Sequence, residues 1–157
     1  MGAFFRWIGT TFGVLLLVGV VFGFLMDAGV VPSARVLTGP EIPEDHYQVL
    51  RAEGIVQEGE VVEYFYSEGL LSVREGGSVL TDQRVIAYEE NFEDEIDLYQ
   101  IYHEDIVSVE MTQEGGALNF AVYTVNGQQE EDWLDLWLPH EYGDAEKFAA
   151  AVRAKIR

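Results

Sequence analysis

Twenty consecutive residues near the N-terminus, Trp7 to Met26 (WIGTTFGVLLLVGVVFGFLM), carry no charged side chain. At about 1.5 Å of rise per residue, a helix of that length covers roughly 30 Å, the hydrocarbon thickness of a bilayer. Twelve of the twenty are Ile, Leu, Val or Phe. On an insertion scale of roughly −0.3 to −0.6 kcal/mol each, they sum to about −4 to −7 kcal/mol. Arg6 stands just outside and can lift its guanidinium to the interface, where the Trp7 indole is also at home. The stretch therefore reads as the transmembrane helix of a single-pass protein. A cleaved signal peptide fits less well, because its apolar core runs only about 7–15 residues and needs small residues at −3 and −1. Cutting after Ala28 or Ala34 places Met26 or Pro32 at −3.

Gly9, Gly13, Gly19 and Gly23 form two G-x-x-x-G pairs in this stretch. At 100° per residue they share an arc of about 120°, a smooth face on which a second helix can pack closely. That candidate helix-packing face admits self-association or docking on a larger membrane protein; the alternative is that glycine is simply frequent in membrane helices. Arg6 on one flank and Arg35 on the other nearly balance, and the short N-terminal tail tips the reading toward a domain on the non-cytoplasmic side of a cell (inner) membrane.

Beyond the anchor the chain carries all 28 acids and every base except Arg6, so the domain's own formal net charge is −20. Such a surface is repelled by nucleic-acid phosphates and by anionic lipid, which excludes nucleic acid as a partner. A solvated shell and a basic protein partner are the two readings of so much negative charge. The chain has no cysteine, which excludes a lipid-modified cysteine anchor and a disulfide framework.

In chain order, residues 1–26 are tail and anchor, and residues 27–43 are a tether holding three of the four prolines. Residues 44–54 hold a short helix, expected at Glu44–Glu53, with Pro43 at its start, Glu44 and Asp45 in its first turn and Gly54 just beyond its end. Tyr47 and Leu50 are its expected contacts to the domain. Residues 55–157 switch to a period of two. Strands are expected at Glu60–Ser67, at Leu70–Glu75 resuming at Ser78–Leu80, and at Arg84–Glu89, Leu98–Tyr102, Ile106–Met111, Ala117–Val125 and Gln128–Leu138. Asn126-Gly127 signals a two-residue type I′ hairpin. Asp144–Lys155 reads as an amphipathic helix with Ala145, Phe148, Val152 and Ile156 on one stripe. The fold class is mainly β (α+β): a transmembrane helix, then a seven-stranded antiparallel barrel or sandwich capped by a C-terminal helix.

Three segments carry a resemblance. Val79-Leu80-Thr81-Asp82-Gln83-Arg84-Val85-Ile86-Ala87-Tyr88 resembles the strand–turn–strand of bacterial pleckstrin-homology-like (PH-like) domains, Glu104-Asp105-Ile106-Val107-Ser108-Val109 is similar to a later strand of theirs, and Asp144-Ala145-Glu146-Lys147-Phe148 to their closing helix. The resemblance spans roughly Gly59 to Arg157 and implies a binding scaffold without catalysis, often beside membranes. It departs at the first hairpin, Tyr66-Ser67-Glu68-Gly69-Leu70, where an acid replaces the bases that hold phosphoinositides. No lipid-site residue carries over.

The residues offer little chemistry. The acidic run Glu89–Asp97 lacks the D-x-[DN]-x-[DN]-G spacing of a calcium loop and reads as a solvated hairpin tip. His46, His103 and His140 lie in separate elements, without the converging ligands that zinc needs. Glu75-Gly76-Gly77-Ser78 joins two strands and opens no helix, so it is no phosphate nest. No catalytic residue, metal or cofactor is assigned. On β-alternation, Leu134, Leu136 and Leu138 face the core, leaving Trp133 and Trp137 outside around Asp135. The two indoles are the candidate partner surface, unless the 44–54 helix or the tether covers them. The expected function is a membrane-tethered, non-enzymatic module for a protein partner; the alternative is a lipid-sensing domain at its own bilayer.

Overall fold

The computed structural model describes Val20 and residues 33–114, 120–129 and 131–156. The expected transmembrane helix, with Gly9, Gly13, Gly19 and Gly23, lies outside the described residues. Among the described residues, no helix is long and apolar enough to cross a membrane.

The domain is mainly β, with two antiparallel sheets and a C-terminal helix. The larger sheet runs in the order β1 (Leu37–Thr38), β2 (Val62–Ser67), β3 (Gly76–Thr81), β4 (Arg84–Glu90) and β5 (Ile96–Tyr102). The smaller holds β6 (Ser108–Glu114), β7 (Phe120–Asn126) and β8 (Trp133–Pro139). Helix α1 (Glu44–Ala52) joins β1 to β2, and α2 (Asp144–Arg153) follows β8.

The larger sheet is covered on both faces. Strand geometry sends neighbouring side chains to opposite sides, and here both sides are apolar. Tyr66, Leu80, Val85 and Ile101 face Val125, Leu134, Leu136 and Leu138 of the smaller sheet and Phe148 and Val152 of α2. Phe65, Val79, Ile86 and Tyr88 face the other way, onto Leu50 of α1 and Ile55, Val56 and Val73. Leu50 and Tyr47 do contact this second cluster, and His46 is buried on the same helix. Gly54, at φ 72°, takes the left-handed turn that ends α1. On α2, Ala145, Phe148 and Val152 are buried as their spacing requires; the helix ends at Arg153, short of the expected Lys155, and Ile156 packs on the same cluster from beyond it.

Three expectations are corrected. Leu70–Glu75 is a loop, not a strand. The Glu75 carboxylate accepts the N–H groups of Leu70, Leu71 and Ser72 at 2.8–3.2 Å, so the backbone is satisfied locally and needs no ladder. Asn126-Gly127 is not a two-residue turn: Asn126 is the last residue of β7 and pairs with Trp133, the first of β8. The QQEED run that follows has no apolar side chain to bury. Thirdly, the tether ends earlier than Pro43. Val36 and Ile42 are buried, β1 pairs with β2 (Leu37 opposite Phe65), and the Arg35 Nε donates to the buried Asp144 carboxylate at 3.3 Å.

Candidate functional site

Strand β8 builds the site. Its sequence WLDLWLP alternates, with Leu134, Leu136 and Leu138 buried and Trp133 and Trp137 left 58% and 45% exposed. Neither α1, which packs on the opposite face of the larger sheet, nor the described part of the tether buries the indoles. Between them lies Asp135, whose carboxylate accepts a 2.6 Å hydrogen bond from the Thr124 hydroxyl directly across on β7. With about 3.3 Å of rise per strand residue, the Cα atoms of Trp133 and Trp137 are roughly 13 Å apart, with that of Asp135 midway.

Residues of β4 and β5 in the larger sheet line the same groove. Ala87 pairs with Tyr99, and the small alanine leaves room beside the half-exposed phenol. Glu68, at the start of the β2–β3 loop, is fixed by its N–H bond to the Gly76 carbonyl at 3.0 Å. Together Glu68, Ala87, Tyr88, Glu89, Tyr99, Glu131, Trp133, Leu134, Asp135 and Trp137 line one groove of about 640 Å³.

The electrostatics are one-sided: the lining holds four carboxylates and no lysine or arginine. Glu68 keeps exposed surface, yet its carboxyl stands in the concave wall. Loss of hydration there, and then repulsion from Glu89, push it up to about 7. Burial, followed by the Glu68 charge, likewise raises the Tyr66 phenol to about 12 and holds Tyr88 well above the ordinary tyrosine range. The groove thus offers aromatic faces and carboxylates, the pair of surfaces that holds an organic cation.

Compared with protein-family models, curated proteins and solved structures, the chain matches none. Its fold and site are read from its own geometry.

Glu89 belongs to the groove, while Glu93, Asp94 and Glu95 stand exposed at the β4–β5 tip, where Asn91 Oδ1 accepts the N–H groups of Glu93 and Glu95. His46, His103 and His140 stay apart on α1, in the turn after β5 and after β8. Among the described residues, no group of three or more His, Asp or Glu is placed to hold a metal ion. Gly76 and Gly77 belong to β3 itself.

The Thr81…Arg84 motif is structural. Thr81 Oγ1 accepts the N–H groups of Gln83 and Arg84, both at 3.1 Å, and so closes the β3–β4 turn. Arg84 points inward and forks onto Glu60, at 2.7 Å (Nε to Oε1) and 2.8 Å (Nη2 to Oε2), with both side chains 1% exposed. Sequence reasoning did not find Tyr99 or Glu89 as site residues, and it saw Glu68 only as a missing base. Nothing local marks them, because the sheet topology brings them beside β8.

Proposed function

We propose that the chain is a membrane-tethered, non-enzymatic interaction module whose β-domain holds a protein partner in the groove beside Trp133 and Trp137. The observation that carries this reading is two exposed indoles on one strand, set in a concave, acidic wall instead of being covered by the chain's own α1. Exposed aromatic groups in concave sites favour partner contact. The two-sheet, helix-closed architecture supports the PH-like resemblance, and with it a binding scaffold. The apolar residues 7–26 supply the anchor in a cell membrane, and Gly9, Gly13, Gly19 and Gly23 its helix-packing face.

The test places a photo-reactive phenylalanine at Glu131 on the groove rim, or at exposed Gln48 on α1, in the full chain in its native membrane. A discrete adduct from the rim, lost in Trp133→Ala/Trp137→Ala and missing from the Gln48 probe, is the expected result. The same adducts from both positions would remove the groove from the role.

One observation favours the lipid-sensing alternative. Leu70 and Leu71 stand 74% and 69% exposed in the β2–β3 loop, an apolar tip that a bilayer would accept. Sedimentation of residues 33–157 with neutral liposomes, abolished by Leu70→Ser/Leu71→Ser, is its signature. No sedimentation across lipid compositions discards it.

A further inference from the structure

We propose that the occupant of the groove is a basic segment of the partner protein, its Arg or Lys side chains lying against Trp133 and Trp137 with their charge on Asp135, Glu68 and Glu89. The inference rests on the interaction-module reading above and names the chemistry of that partner. Charge complementarity decides the occupant. An apolar segment would strip water from four carboxylates without replacing it, and an acidic one would meet like charge on every wall. A guanidinium or ammonium instead gains a ring face and a carboxylate together.

The spacing narrows the partner further. Trp133 and Trp137 are four residues apart on one face of one strand, so an extended ligand running alongside places side chains i and i+4 opposite them. Residue i+2 then faces Asp135. The Asp135 carboxylate is already aimed by Thr124, so no side chain in this strip must reorder to receive the charge. Selective recognition therefore asks for two basic residues separated by three others, in a segment able to lie extended.

The experiment uses the full chain in neutral phosphatidylcholine nanodiscs, with Trp7→Phe so that only the groove indoles emit. The probes are an Arg-Gly-Ser-Gly-Arg peptide with blocked ends, its citrulline counterpart, and an Arg-Arg-Gly-Ser-Gly peptide of equal charge. Saturable change in emission with the first probe is expected, with the citrulline peptide about tenfold weaker, the size of one or two cation–aromatic contacts. The adjacent-arginine peptide should also bind more weakly. Asp135→Asn and Trp137→Leu should each weaken the first probe about fivefold or more, while Glu93→Gln/Glu95→Gln at the hairpin tip leaves it within about twofold.

Equal binding of arginine and citrulline peptides overturns the proposal. So does an equal loss from tip and groove variants, which would mean diffuse attraction to a net charge of −19. The rim photo-adduct separates the two levels: an adduct that the arginine peptide fails to compete away sinks the basic ligand and leaves the module. The lack of a groove-dependent adduct sinks the module itself.

Discussion

Breaking the Arg84–Glu60 pair is the most informative perturbation of the fold. Arg84, at the start of β4, also donates through Nη2 to the Ile55 carbonyl at 3.2 Å, and Glu60 also accepts the Gln57 N–H at 2.7 Å. The pair therefore clamps the α1–β2 connection to the β3–β4 turn. With both side chains 1% exposed, either single replacement leaves its partner's charge buried and unpaired, a loss of about 3–5 kcal/mol. Glu60→Gln and Arg84→Met should each lower the unfolding midpoint by about 10–20 °C for a domain of this size. The double variant Glu60→Met/Arg84→Met removes both charges and should lose no more than either single one. Urea unfolding followed by indole emission reads this directly, through the midpoint at unchanged slope. Burial by itself would raise the Glu60 carboxyl, but the hydrogen bonds from Arg84 and Gln57 outweigh it and hold the group below its ordinary 4.5. A depressed carboxyl stabilises above its unfolded pKa, so this contribution fades as pH falls from about 4.5 through the lower folded value. Glu60→Gln should lack that component. If Glu60→Gln cost under about 1 kcal/mol, or if the single losses simply added in the double, the clamp would not be a coupled buried ion pair.

Other outcomes follow from single sites. Gly77→Ala should destabilise strongly in thermal melts, since a Cβ there would come within 2.3 Å of the Tyr66 carbonyl oxygen across the sheet. Ser78→Ala should be neutral or stabilising by up to about 1 kcal/mol, because its fully buried hydroxyl finds no hydrogen-bond partner among the described residues. Glu68, raised from 4.5 to about 7, contributes stability that is present below pH 4.5 and lost as pH rises through 7. Glu68→Gln should therefore raise the melting temperature at pH 8 and leave it nearly unchanged at pH 4.5. Leu136→Ala, at a fully buried site, should cost about 2–5 kcal/mol in urea unfolding.

What the sequence disclosed followed local rules. WLDLWLP has one reading as a strand, and its indoles do stand outside. DAEKFAAAV likewise presents a single apolar stripe, and Pro43 with Gly54 brackets α1 nearly to the residue. The failures share a cause, which is that competing bonds are chosen by tertiary context. The residues 70–75 look strand-like until the Glu75 carboxylate is seen to gather their N–H groups. Asn126-Gly127 favours a tight turn, yet Asn126 itself pairs with Trp133, so the ladder takes up the first turn residue. The groove was half legible: Trp133 and Trp137 through alternation, but not Glu68, Glu89 and Tyr99, which reach them only through sheet topology. Arg84 and Glu60, 24 positions apart, likewise give no periodic sign of meeting.

The pairing of β1 with β2 has a consequence for truncation. Leu37 and Thr38 occupy hydrogen-bonding positions on a sheet margin that would otherwise lie open to another copy of the chain. A chain shortened to start before Arg35 keeps Leu37 and Thr38 against Phe65 and Tyr64 of β2. A chain that starts beyond Thr38 uncovers the β2 backbone at those positions, and light scattering should show it self-associating more readily than the longer one.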